Sequence, residues 1–268
     1  MSNKNIDFKG ITKQVVNLCQ SVGQMIKGEL AGLSESDVEY KGTHNLVTYV
    51  DKKAEAVLIE ELSKILPGTG FIAEEDDQLK RSEQFNWIID PLDGTTNFIH
   101  KIPLFSISIA LTEGTETRLG VVYEINLKEA FYAWQGGSAL LNEKPIHVSK
   151  TPILDKSLLA TGFPYYDYSR LDAYLALFKD MMQNSRGVRR LGSAAVDLAY
   201  VAAGRFDIFY EYGLNPWDVA AGAFIVQQAG GKVTTFNGSN EFVFGKEIIA
   251  SNKLIHNEFT NKLSTYFK

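Results

Sequence analysis

Cysteine is almost absent: Cys19 is the one thiol in 268 residues. That excludes an internal disulfide framework and any zinc site built on several thiolates. A reducing cytoplasm is the expected compartment. Histidine is scarce too, and His44, His100, His147 and His256 stand at no ligand spacing. They read as structural or surface residues, with His100 nearest to anything of chemical interest. No stretch approaches the roughly 18 uninterrupted apolar residues of a membrane-spanning helix. The segment from Met1 to Gly10 is polar, so no leader peptide is expected. There is no low-complexity tract, flexible linker or internal repeat. No G-x-x-x-x-G-K-[ST] phosphate loop occurs either. Nor does positive charge dominate, with 27 Lys and Arg against 32 Asp and Glu, a net −5. This argues against nucleic acid as the main partner and suits a site that takes cations.

What is present is an ordinary globular composition, 45% apolar, 12% aromatic and 22% charged. A chain of this length buries roughly 75% of the surface its unfolded form exposes. It suits one large α/β domain or two smaller ones sharing an interface. Ile11, Val15, Leu18, Val22, Ile26 and Leu30 recur at steps of three or four, predicting a helix over 6–30 with Cys19 beside its stripe. A loop with Gly28, Gly32 and Ser34 follows, then a second helix over 51–66 that stops at Pro67-Gly68. Strands are predicted over 71–73, 87–89, 106–111, 120–123 and 130–134, with Gly114 and Gly120 bracketing a hairpin turn. From Pro145 the pattern restarts. Strands over 157–161, 206–210, 232–235 and 247–250 alternate with helices over 171–182, 193–203, 217–229 and 256–267. The first half is α+β and the second α/β, so two lobes in close contact are expected, 1–145 and 146–268.

Three acidic groups sit where chemistry usually sits: Glu74-Glu75, Asp90 with Asp93, and Asp218 after Trp217. The first two follow buried strands, where open α/β sheets place ligands. Trp87-Ile88-Ile89 is apolar, so Asp90 emerges at the edge of a core, and Pro91 is expected to break the strand. The bend lets Asp90 and Asp93 point into one space. Two close carboxylates repel, so one is protonated or a cation lies between them. Mg²⁺ suits such hard oxygens, and the carbonyl of Leu92 is a further donor. Gly94-Thr95-Thr96 then offers backbone without bulk and two hydroxyls. A helical turn beginning there would present free N–H groups to an anion. Acids for a cation beside N–H groups for an anion is what a phosphate ester needs. Each feature alone has a plainer explanation. Glu74 to Asp77 reads equally as a solvated loop, Asp218 as a helix cap, and Asp90 and Asp93 as turn residues.

Together they resemble a known family. Trp87 to Phe98, WIIDPLDGTTNF, resembles the signature of the inositol monophosphatase family, and Asn215 to Gly231, NPWDVAAGAFIVQQAGG, resembles its second signature. Asn45 to Asp51, NLVTYVD, is similar to a third element, and Gly192 to Ala195 and Glu211 fall in the expected order. The resemblance covers about residues 40–252. It implies a layered αβαβα sandwich, usually a homodimer. It implies Mg²⁺-dependent, lithium-sensitive hydrolysis of a phosphate monoester. Glu74, Asp90 and the Leu92 carbonyl would hold one metal, and Asp90, Asp93 and Asp218 a second. Some members hold a third, weaker ion near Glu74, giving two to three Mg²⁺ per site. A metal-activated water would be held by Glu74 and Thr95, with Asp51 accepting the Thr95 hydroxyl proton. Gly94 and Thr95 would give N–H groups to the phosphate. Ser193, Ala194, Glu211 and Arg189 would face the alcohol, while Asp93 and Asp218 would also meet the substrate. The 1–145 lobe would thus carry most metal ligands, and the 146–268 lobe Asp218 and the substrate face.

An acid at the Glu211 position favours a polyol, and inositol monophosphate is the expected substrate. Relatives with the same metal site hydrolyse fructose 1,6-bisphosphate, NADP(H) or adenosine bisphosphates, and the pocket segment Gly162-Phe163-Pro164 varies among them. Arg186, Arg189 and Arg190 form a small basic cluster that reads equally as ion pairing or as contact with additional phosphate, which motivates the 2′-phosphate of NADP(H) as the alternative. The same cluster motivates a reading of another class, a partner-binding protein with secondary or lost catalysis. The intact set of repelling acids argues against that one. A small phosphorylated substrate is the expected partner, with neither membrane nor nucleic acid.

Overall fold

The computed structural model describes residues 6–32, 38–40, 46–76, 78–164 and 167–267; Ser34, His44, Asn45 and Asp77, named above, lie outside them. Along the chain come α1 (Phe8–Glu29), β1 (Val38–Tyr40), β2 (Leu46–Thr48), α2 (Tyr49–Ile65), β3 (Gly70–Ala73), β4 (Phe85–Asp93) and α3 (Thr95–Ile99). The meander β5 (Ser106–Glu113), β6 (Glu116–Glu124), β7 (Glu129–Trp134), β8 (Leu140–Leu141) and β9 (Lys144–Pro145) follows. The remainder is β10 (Leu158–Thr161), α4 (Leu171–Gln183), β11 (Gly187–Arg189), α5 (Ala194–Ala202), β12 (Ile208–Tyr212), α6 (Pro216–Gln228), β13 (Lys232–Thr234), β14 (Glu247–Ser251) and α7 (His256–Leu263).

Strand alternation builds the layers. β3 to β9 form one sheet in sequence order, parallel only at β3–β4 among its described pairs. Trp87, Ile89, Ile109, Leu111 and Val121 point to one face and pack with Ile11, Val15, Cys19, Val22 and Ile26 of α1 and with Ala54, Leu58 and Leu62 of α2. Their neighbours Ile88, Ala110, Val122 and Phe131 point the other way, onto α5 and α6. Those helices are apolar nearly all round because a second sheet, ordered β11-β10-β12-β14-β13, covers their far side with Ala160, Phe209, Ile248 and Ala250. Its outer face, Leu159, Ile208, Tyr210 and Ile249, packs under α4 and α7. The result is helix, sheet, helix, sheet, helix, the layered αβαβα sandwich.

Three expectations are corrected. Pro91 does not end its strand: β4 runs on to Asp93, with a register shift between Asp90 and Asp93. Gly120 is not at the hairpin turn with Gly114 but inside β6, paired with Ala110 and Ala133. The strand predicted at Phe206 begins at Ile208, because the Asp207 carboxylate accepts bonds from Leu158 N–H (2.7 Å) and the Ser149 hydroxyl before the ladder starts.

Candidate active site

The shift in β4 explains how Asp90 and Asp93 come together. Residues three apart on a regular strand face opposite sides. Here Asp90 pairs with Ser108 and Asp93 with Ser106, so two residues of β4 oppose one of β5. The extra residue is a bulge, and it returns Asp93 to the side of Asp90. That side faces α5 and α6. Ser106 Oγ lies 3.2 Å from Ser193 Oγ, and Ser108 Oγ donates to the Trp217 carbonyl at 3.0 Å. The two serines opposite the acids thus pin the starts of both helices beside them.

Each helix start is itself capped by a residue of the site. Ser193 caps α5, and its hydroxyl donates to Asp93 Oδ2 at 2.6 Å, beside a 2.7 Å bond from Ala195 N–H. Asp218 stands at the third position of α6, and its Oδ2 accepts from Asn215 N–H at 2.7 Å. It is a capping box and a wall of the cavity at once. Asp51 forms a capping box for α2 with Thr48, and its other oxygen lies 3.2 Å from Thr95 Oγ1. Gly94 caps α3 at φ 98°, a conformation that an L side chain resists. The helical turn expected after it begins at Thr95.

Glu74, Asp90, Leu92, Asp93, Gly94, Thr95, Ser193, Ala194, Glu211 and Asp218 line one cavity of about 140 Å³. Asp51 stands behind Thr95 rather than in the wall. Arg189 is not brought in: it is exposed, with its guanidinium on the Val188 carbonyl at 3.1 Å, and Arg190 takes the wall position instead. Successive side chains of extended backbone point opposite ways, which decides between the two. The Arg190 guanidinium lies 5.4 Å from the ring centre of Phe163, also in the wall. His100 is exposed and outside the cavity, and His256 is buried between Thr234 and Ser251 hydroxyls. Sequence reasoning missed Asp197, a wall residue with a detectable signal: one acid in the apolar run of α5.

Crowding of acids shows in their proton affinities. Burial, then Glu74, Asp93 and Asp218, push Asp90 well above the usual carboxylate range. Poor access to water raises Asp93 to about 6, against the bonds from Ser193 and Ala195. Asp218 rises to about 7 by the same exclusion of water and the charge of Asp93. Burial takes Asp51 to about 6 despite its bonds to Thr48. Glu211 is raised by burial and then by Asp218, with Arg190 acting the other way.

This donor set fits a hard divalent cation: carboxylates and a carbonyl that repel one another until a positive charge joins them. Among the described residues, no three Asp, Glu, His or Cys side chains are already gathered into a metal-holding cluster.

A layered sandwich with such a cavity defines a class, the metal-dependent phosphoric monoester hydrolases. The chain belongs to the inositol monophosphatase family, whose model matches residues 7–267. It is 42% identical over 238 residues to the Nus factor SuhB of Pseudomonas aeruginosa, covering 87% of this chain and 88% of that protein. It is 40% identical over 253 residues to an inositol-1-monophosphatase of Caulobacter vibrioides, covering 93% and 99%. Among solved structures, the extragenic suppressor protein suhB of Bartonella henselae superimposes with a TM-score of 0.89 at 38% identity, covering 95% and 98%. No helix among the described residues is long and apolar enough to cross a membrane.

Proposed function

We propose that this chain hydrolyses inositol monophosphate to inositol and phosphate with Mg²⁺, two to three ions per site. The observation that carries the reading is Glu211: its buried carboxylate faces the same cavity as Glu74, Asp90, Asp93 and Asp218. A buried acid beside the cation donors suits the hydroxyls of a polyol. When bound, Mg²⁺ neutralises phosphate charge and makes water a better nucleophile. The chain's own residues do the rest. Thr95 Oγ1 has one proton, and both Asp51 Oδ1 (3.2 Å) and the Leu92 carbonyl (3.0 Å) stand ready to accept it. Its lone pairs therefore face the water, which donates one proton there and another to Glu74. The N–H groups of Gly94 and Thr95 hold phosphate oxygens. Ser193, Ala194 and Glu211 orient the alcohol, and Asp93 and Asp218 complete the cation shell. In this reading lobe 1–145 supplies most cation ligands and lobe 146–268 supplies Asp218 and the alcohol face. The protein acts as a lithium-sensitive cytoplasmic homodimer.

Phosphate release from inositol 1-phosphate, fructose 1,6-bisphosphate and NADP(H), with and without Mg²⁺ and Li⁺, tests this. Inositol 1-phosphate is expected to lead, with release dependent on Mg²⁺ and inhibited by Li⁺. Preference for NADP(H) would transfer the site to the nucleotide alternative, for which Arg190 is the argument. A Cβ at Gly162 would lie 2.0 Å from Glu211 Oε1, so Gly162→Ala must swing that carboxylate aside. The expected result is a KM for inositol 1-phosphate raised by about tenfold or more, with a smaller change in kcat. An unchanged KM would remove Glu211 from the alcohol side.

A second reading has one observation behind it, the name Nus factor SuhB carried by relatives from Pseudomonas aeruginosa and Escherichia coli. In it the chain also binds a macromolecular partner, through a surface that includes the exposed Arg186 and Arg189. A pull-down with the Arg186→Ala, Arg189→Ala double variant as control that retains the same proteins as wild type would count against it.

A further inference from the structure

Among the described residues six carboxylates line the cavity, and the reading above employs five: Glu74, Asp90, Asp93 and Asp218 toward the cation, and Glu211 toward the alcohol. Asp197 is left over. It stands on the first turn of α5, four residues after the capping Ser193, with 1% of its surface exposed. Its Oδ1 is buried and has no hydrogen-bond partner among the described residues. This oxygen has almost no contact with bulk solvent although its residue lines the cavity, and no donor among the described residues meets it. Such an atom is costly to keep, and a donor brought by a ligand removes the cost. The acid charge nearest to it in effect is that of Glu211, the residue assigned to the alcohol, while Arg190 is the one basic side chain among the described wall residues.

We propose that Asp197 is a second hydroxyl-binding carboxylate of the alcohol subsite, so that the substrate is a phosphate monoester whose alcohol presents free hydroxyls to both Glu211 and Asp197. This rests on the polyol reading of the same cavity and deepens it. A hydroxyl both donates and accepts, so it can meet this carboxyl whether it is ionised or, as burial and the charge of Glu211 favour, holds its proton. An alcohol lacking one of the two hydroxyls leaves a buried oxygen unpaired, and sites of this kind discriminate strongly against such analogues.

The test compares inositol 1-phosphate with cyclohexyl phosphate, which has the same ring without free hydroxyls, at saturating Mg²⁺. Wild type is expected to favour inositol 1-phosphate. In Asp197→Ala the ratio of the two kcat/KM values should fall by about tenfold or more, with the Tm unchanged or raised because an unpaired buried group has gone. Asp197→Asn keeps the shape and one acceptor, and should give a smaller fall. Equal losses on both esters together with a lowered Tm would make Asp197 a structural residue and overturn the proposal. An unchanged ratio in both variants would overturn it as well. Wild type that turns over both esters equally would instead reject hydroxyl recognition altogether, and the polyol reading with it.

Discussion

Asp93→Asn should lose about 10³-fold or more in kcat/KM while the protein stays folded, a change of roughly 4 kcal/mol in transition-state stabilisation. Asp93 reaches the cavity because the β4 bulge turns it toward Asp90, and its Oδ2 is held by Ser193 Oγ at 2.6 Å and Ala195 N–H at 2.7 Å. The amide oxygen of asparagine can keep those two bonds, so the start of α5 stays anchored. What it cannot keep is the charge. On the proposed reading the cation then loses a ligand that also anchors the helix start, and neutral amide oxygen is a poorer donor to a hard ion. Folding should not suffer. Asp93 sits at about 6 because the folded cavity disfavours its ionised form, so replacing it relieves repulsion at neutral pH. Thermal melting in EDTA at pH 8 should give the variant a Tm equal to or above that of wild type. A variant that retains a tenth of wild-type turnover would remove Asp93 from the cation shell. A variant that melts far below wild type would show that its role is to hold α5.

How much of this the sequence contains depends on the kind of feature. The β4 and α6 segments are legible because their chemistry is continuous in the chain: Asp90, Leu92, Asp93, Gly94 and Thr95 lie within six residues, and Asn215 to Asp218 within four. The layers are legible because strand alternation separates Ile88 from Trp87 and Ile89. The bulge is not legible, since proline after Asp90 signals a break as readily as an irregular strand. The choice between Arg189 and Arg190 needs the phase of a three-residue strand, which has no turn or cap to set it. Asp197 escapes for another reason. It is one acid in a run of small apolar residues, and which side of so apolar a helix meets the cavity is settled by the two sheets packed around α5. Asp218 shows how a plain reading and a functional one coexist: the same carboxylate that caps α6 lines the cavity.

Divalent cation should stabilise the protein strongly at pH 8 and little at pH 5. In the cation-free fold burial raises Asp51 and Asp93 to about 6 and Asp218 to about 7, and burial with the charges of Glu74, Asp93 and Asp218 holds Asp90 well above the ordinary value of 3.8. Between about pH 4 and 7 the folded chain therefore keeps protons that the unfolded chain has released. Stability contributed by these groups is complete at the acid end of that window and is lost as pH rises through it, by about 1.4 kcal/mol per pH unit for each proton retained. His256 works in the opposite sense. Burial lowers it to about 4, so the unfolded chain takes its proton first and stability from this group falls as pH drops below about 6.5. A single melting curve against pH mixes the two effects. The difference between Tm with Mg²⁺ and Tm with EDTA separates them, because His256 lies outside the cavity and cancels. At pH 8 Asp51, Asp93 and Asp218 are largely ionised and a cation replaces the missing protons. One site at a hundred times its Kd adds about 2.7 kcal/mol, on the order of 5–10 °C for a chain of this size. At pH 5 protons already occupy the cavity and must be displaced, so the same Mg²⁺ should shift Tm by roughly a third of that or less. Equal shifts at both pH values would mean that the ion binds somewhere other than these acids. No shift at pH 8 in millimolar Mg²⁺ would mean that protonation alone relieves their repulsion, and the cation reading of the cavity would fall.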